Sequence, residues 1–140
     1  MGDRNVDKLP AGAGFGQLTA GYEFPSVSYE LSETAISGYI TAVDRQKEGV
    51  LSGFAPPMFI AARSLTVLSE LVSSLAGSIH AAQEFEFLRL VLVGTTIECH
   101  GRVVQNLRHG KLHLLVIGLD VFNQDKEQVL AGKATLILPG

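Results

Sequence analysis

Cysteine, charge and long apolar runs are all scarce in this chain, and each scarcity closes off a class of protein. Cys99 is the single cysteine, so no internal disulfide can form and a reducing compartment, the cytoplasm, is expected. Charged residues make up 18 % of the 140, against a usual quarter or so. The formal net charge of −3 leaves no basic excess for a phosphate backbone, which argues against nucleic acid as a partner. No stretch reaches the about 18 uninterrupted apolar residues of a membrane span. The opening MGDRNVDKLP has no apolar core of the kind a secretory signal needs.

What is present is apolar. Such residues are 46 % of the chain, more than a monomer of this size covers with so few charges, so part of the surface is expected to face another subunit. Residues 1–20 are polar and glycine-rich, with AGAGFG at 11–16. A phosphate loop needs a strand before it and a helix after it; here a charged tail precedes and Tyr22-Glu23-Phe24-Pro25 follows. Those residues read as a flexible arm, and 21–140 as one domain.

The centre of the chain is Pro56 to Leu75. Two prolines fix the entry, and Ala61, Leu65, Leu68, Val72 and Leu75 then recur at steps of four and three, one face of a helix. Ile60, Val67 and Leu71 widen the stripe, as in a helix mostly surrounded by protein. Before it, Val27, Tyr29 and Leu31 alternate with polar residues as a half-buried strand. Ser32 and Glu33 then open a helix running to about Asp44. After it everything reads as strand: Ala81 to Leu88, Thr95 to Asn106, Lys111 to Phe122 and Gln128 to Leu138. The second and third of these form a hairpin through Leu107-Arg108-His109-Gly110. The Lys111 strand is apolar on both faces, so one face lies on the helix and the other needs cover. The expected class is α+β, an antiparallel sheet wrapped around a long central helix.

Candidate chemistry is sparse. With the turn at 108–111, His113 falls opposite about Asn106, far from His100, so no metal site is expected. His109 lies in the turn, His80 starts a strand, and Cys99 reads as a small buried residue. Nothing implies a bound cofactor.

Two motifs carry a resemblance: Ala55-Pro56-Pro57-Met58-Phe59, and Ile79-His80-Ala81-Ala82-Gln83-Glu84-Phe85-Glu86-Phe87. In that order, and followed by long hairpins, they resemble the MaoC-like hotdog proteins, which include (R)-specific enoyl-CoA hydratases and (3R)-hydroxyacyl dehydratases. Arg89 to Gly94 matches the family's Arg-Pro-Val-x-x-Gly-Asp segment in part, with Leu90 in place of Pro and Thr95 in place of Asp. The resemblance implies a hotdog fold, a homodimer or a heterodimer with a hotdog homologue, an acyl-CoA or acyl-ACP thioester as partner, and lyase chemistry of fatty acid metabolism. Active members use Asp-x-Asn-Pro-x-His, whose Asp and His handle a water in addition across the double bond or its reversal. Asp44 matches the motif's Asp and is the candidate catalytic residue. Gln46 and Lys47 replace Asn and Pro, Gly49 stands where His belongs, and no histidine occurs between Asp44 and His80. Glu48 is the one alternative base of that loop. The implied substrate-binding residues are Tyr39, Phe54, Pro57, Phe59 and His80. Three readings stay open: a thioester-binding subunit without the catalytic pair; an active hydratase or dehydratase using other residues; or a hotdog thioesterase or isomerase.

Overall fold

The structure, a computed structural model, describes residues 18–43, 53–72, 75 and 77–139. The expected arm over residues 1–20 lies outside them up to residue 17, as do Asp44, Gln46, Lys47, Glu48 and Gly49. From Leu18, which is buried, the chain runs beside the sheet, its Gly21 N–H donating to the Val103 carbonyl at 2.8 Å.

Seven elements follow: β1 (Val27–Glu30), α1 (Glu33–Val43), α2 (Pro57–Leu71), β2 (Ile79–Phe87), β3 (Thr96–His109), β4 (Leu112–Phe122) and β5 (Gln128–Pro139). The strands form one sheet in the order β1-β3-β4-β5-β2, antiparallel throughout. Strand β2 therefore ends the sheet, although it is the first strand after the central helix. No described helix is long and apolar enough to cross a membrane.

Local chemistry explains the helices. Ser32 Oγ accepts the Ala35 N–H at 3.1 Å and caps α1. Pro56 enters α2 in an extended conformation and Pro57 occupies the first turn, where its fixed φ is helical and its missing N–H breaks no helical bond. Helix α2 ends at Leu71, earlier than the apolar spacing predicts, and Gly77 turns the chain at φ +84°.

The core lies between α2 and one face of the sheet. Ile60, Ala61, Val67, Leu68 and Leu71 from the helix meet Ile97, Val103, Leu115, Ile117, Leu119 and Leu136. Its middle row is built from contrasts in size. Leu119 sits between Gly101 and Gly132 in register. A Cβ on Gly101 would lie 3.4 Å from Phe24, and one on Gly132 would lie 3.2 Å from the Phe85 ring. Two aromatic rings thus occupy the room the glycines leave, with Leu119 between them.

The β3–β4 turn differs from expectation. His109 pairs with Leu112, leaving a two-residue loop with Gly110 at φ +63°, the sign a tight hairpin needs at its first loop position. His113 consequently faces Arg108, not Asn106, while His100 faces Asp120. The two imidazoles stay well apart.

Candidate functional site

The N-terminal end of α2 gathers most of the candidate binding residues. A short ladder positions it: the Ala55 N–H donates to the Val91 carbonyl at 2.7 Å, and the Val93 N–H to the Gly53 carbonyl at 3.1 Å, with Phe54 bridging Leu92. This ladder delivers Pro56 and Pro57 to the helix start. Inside the first turn the Phe59 ring meets Tyr39 of α1 edge to face, centroids 5.4 Å apart, a favoured aromatic geometry. Phe59 is buried. Around the outside, Met58, Leu90 and Leu92 are more than half exposed. Four of the five candidates, Tyr39, Phe54, Pro57 and Phe59, are therefore neighbours. His80 is elsewhere: it lines a cavity of about 140 Å³ with Leu65, Leu68 and Ser69 of the second half of α2 and Val72 just past its end. Its Nε2 lies 2.9 Å from Gln83 Oε1. Asp44 falls outside the described residues.

This helix start is poor in hydrogen-bond donors. Stabilising charge on a thioester oxygen needs preorganised donors, and a helix N-terminus generally supplies several. Pro57 has no N–H, and the Phe59 N–H is engaged by the Pro56 carbonyl at 2.9 Å. Within residues 56–59 only the Met58 N–H remains.

A second polar group, which no local pattern in the sequence marks, lies deeper. Ser64 is the one buried polar residue among those described. Its Oγ donates to the Ile60 carbonyl at 2.8 Å and lies 3.7 Å from Cys99 Sγ, itself 4.0 Å from the Tyr29 hydroxyl. The Arg63 guanidinium sits 4.9 Å above the Tyr29 ring, a cation–π contact. Burial pushes both the Tyr29 hydroxyl and the Cys99 thiol above their ordinary pKa values, which keeps the thiolate, the reactive form, scarce. Cys99 is thus a packed core residue, as its place in mid-strand predicts. In native protein at pH 8 its labelling by a disulfide reagent should be limited by local opening, with full reaction on adding denaturant. Immediate stoichiometric labelling would contradict this placement.

A wider cleft, about 580 Å³, lies on the opposite sheet face, bordered by Glu98, His100, Arg102, Asp120, Phe122 and Lys126. Most of its charges are paired; Glu23, which also borders it, is outside these pairs. Glu98 Oε1 lies 3.4 Å from both His100 Nε2 and Lys126 Nζ, and Arg102 lies 3.6 Å from Asp120. The hydrogen bond from His100, then that from Lys126, holds the Glu98 pKa below its ordinary value. A lowered folded-state pKa stabilises the fold above the unfolded-state pKa, and that contribution is lost as pH falls through the folded value. The melting temperature of Glu98→Gln should therefore trail the parent's at pH 7 and converge on it in acid; parallel pH curves would refute the linkage. Among the described residues, no three His, Cys, Asp or Glu side chains gather where a metal could be held.

A five-stranded antiparallel sheet on a central helix defines a hotdog fold, and the solved structures it resembles include (R)-hydratases, a MaoC-like dehydratase and a hypothetical thioesterase. The (R)-hydratase PhaJ1 from Pseudomonas aeruginosa superposes with TM-score 0.75 at 19 % identity, over 89 % of this chain and 84 % of that one. A MaoC-like dehydratase from Rhodospirillum rubrum gives 0.74 at 19 %, over 89 % and 94 %. The HadBC (3R)-hydroxyacyl-ACP dehydratase complex of Mycobacterium tuberculosis gives 0.65 at 17 %, over 84 % and 96 %, and a similar Streptococcus mutans protein is bound to acetyl-CoA. At these identities the likeness is one of fold, and it bears out the hotdog architecture that the two motifs implied. No protein-family model and no curated protein sequence matches the chain.

Proposed function

We propose that this chain binds an acyl thioester, on CoA or on acyl carrier protein, and serves as a non-catalytic partner subunit of a hotdog hydratase or dehydratase. One observation carries the reading. Among the described residues, those at the start of α2 are apolar, the Tyr39 phenol being their one acid group, and Pro57 removes a donor where the thioester oxygen would need one. The sequence adds the absence of any histidine between Asp44 and His80. Hydration and dehydration need a group that exchanges a proton with water or substrate; an apolar mouth binds without it.

The partner is a second hotdog chain, a further copy or a homologue. Strand β2 ends the sheet, and among the described residues no strand pairs with its outer edge, which can template another strand. Phe87, Leu88, Leu90 and Leu92, all exposed, continue from its end to the mouth beside Phe54. A chain docked on that edge covers both. The (3R)-hydroxyacyl-ACP dehydratase among the similar structures is, by its name, a complex.

Crotonyl-CoA tests the reading. The purified chain should bind the thioester in a calorimeter without converting it, and hydration should appear only when a catalytically intact hotdog homologue is added. Turnover by the chain alone that Asp44→Ala abolishes would establish the second reading, an active lyase using other residues.

A further inference from the structure

Helices α1 and α2 together hold one basic residue, Arg63. The other charges in their sequences are Glu33 at the start of α1 and Glu70 at the far end of α2. Arg63 follows Phe59 by four residues, which puts the two on one face of the helix, about 6 Å apart along its axis. Consecutive elements meet them there. Strand β1 brings the Tyr29 ring to 4.9 Å from the Arg63 guanidinium, and α1, the next element, brings Tyr39 to Phe59. Arg63 thus stands one helical turn beyond the apolar mouth, on the same side of α2.

What Arg63 lacks is an acceptor. Arg89 and Arg102 lie 3.7 Å and 3.6 Å from carboxylates; among the described residues, no carboxylate stands within 4 Å of Arg63 and no hydrogen bond engages it. Stacking on Tyr29 uses the flat face of the guanidinium, whereas its N–H donors lie in the plane and point outward. Arg63 is exposed, so a ligand can reach those donors. A guanidinium is also more weakly hydrated than an ammonium, and its fork matches the two oxygens of a carboxylate.

An acyl thioester can bring two kinds of anion, and distance separates them. The phosphates of CoA or of acyl carrier protein sit at the far end of the pantetheine arm from the sulfur. A carboxylate ending a short acyl chain lies within a few carbon atoms of the thioester carbon, the scale of one helical turn. With the thioester at the Met58 N–H, the donor left free at the helix start, Arg63 stands at the reach of that carboxylate.

We propose that Arg63 receives a free carboxylate at the end of a short acyl chain, so that the ligand class, resting on the thioester reading above, is the half-thioester of a short dicarboxylic acid.

Succinyl-CoA and butyryl-CoA test it, because their acyl chains are equal in length and differ in a terminal carboxylate against a methyl. In a calorimeter the parent should bind succinyl-CoA about tenfold more tightly, the worth of a hydrogen bond between charged groups. Arg63→Leu and Arg63→Gln change an exposed helical position, and circular dichroism checks that both fold. Each should bring the ratio of the two affinities to about one. No preference in the parent, or a preference that survives in either variant, would overturn the proposal. Loss of affinity for both esters alike would place Arg63 on the carrier's phosphates and overturn it as well. Butyryl-CoA reports separately on the thioester reading: binding of both esters without preference overturns the carboxylate site alone, whereas binding of neither by the parent removes both.

Discussion

Leu119→Ala is expected to remove about 3–5 kcal/mol of stability, the upper part of the range for large-to-small core substitutions. The reason is what stands beside it. Leu119 is 1 % exposed in the middle strand, and its in-register neighbours are Gly101 and Gly132. A cavity normally shrinks because neighbouring side chains lean in; here both flanking positions have none. The next groups out are Phe24 and Phe85, whose rings already lie over the glycines. The void therefore stays open and the lost contacts are not recovered. Against a usual total of 5–15 kcal/mol, this should lower the melting temperature by roughly 10–20 °C, read by calorimetry. Gly132→Ala approaches the same row from the other side. Its new Cβ would meet the Phe85 ring at 3.2 Å, so the ring must move; a smaller loss of about 1–3 kcal/mol is expected from overpacking. A Leu119→Ala loss below about 1 kcal/mol would mean that the row collapses freely.

The sequence carried much of this fold because its punctuation is local. Pro56 and Pro57 mark where α2 starts, Ser32 marks α1, and Phe85 and Phe87 alternate with Glu84 and Glu86 as they do in the sheet. It failed where both faces of a strand are apolar. Along β4, Leu114 and Val116 look outward and Leu115 and Ile117 look inward, so composition does not fix which residue opposes which, and the hairpin turn was placed short of its position. The shift between Val103 and Gln105 further breaks the alternation on which register could be counted. Strand β2 begins at Ile79 instead of Ala81 for a related reason: an irregularity between His80 and Ala82 separates its first two residues from the regular pattern. The candidate site was legible in part. Tyr39, Phe54, Pro57 and Phe59 gather because one ladder and one helix turn hold them, whereas His80 shared a motif with neighbours in sequence but sits beside the other half of α2. The Tyr29, Arg63, Ser64 and Cys99 group joins β1, α2 and β3, and contacts between elements so far apart in sequence leave no spacing to read.

Replacing Leu90 and Leu92 together by aspartate should dissociate the edge contact and weaken thioester binding with it. The two leucines are 66 % and 57 % exposed and lie between the end of β2 and the mouth at Phe54. Burying a whole leucine is worth about 1.5–3 kcal/mol, so covering the exposed half of each contributes roughly 1 kcal/mol. In a two-fold contact every residue counts twice, which makes about 4 kcal/mol, or nearly a thousandfold in the dissociation constant. Desolvating the new carboxylates adds to that loss. Sedimentation over a concentration series measures the first effect and titration with crotonyl-CoA the second. The two should move together if, as proposed, the chain docked on the edge also closes the apolar mouth. Dissociation with unchanged thioester affinity would mean that the mouth is complete within one chain, and the partner would then have no part in binding. The outer sheet face supplies the control: Val104→Asp, on that face and remote from the β2 edge, should leave both the edge contact and the thioester affinity as they are.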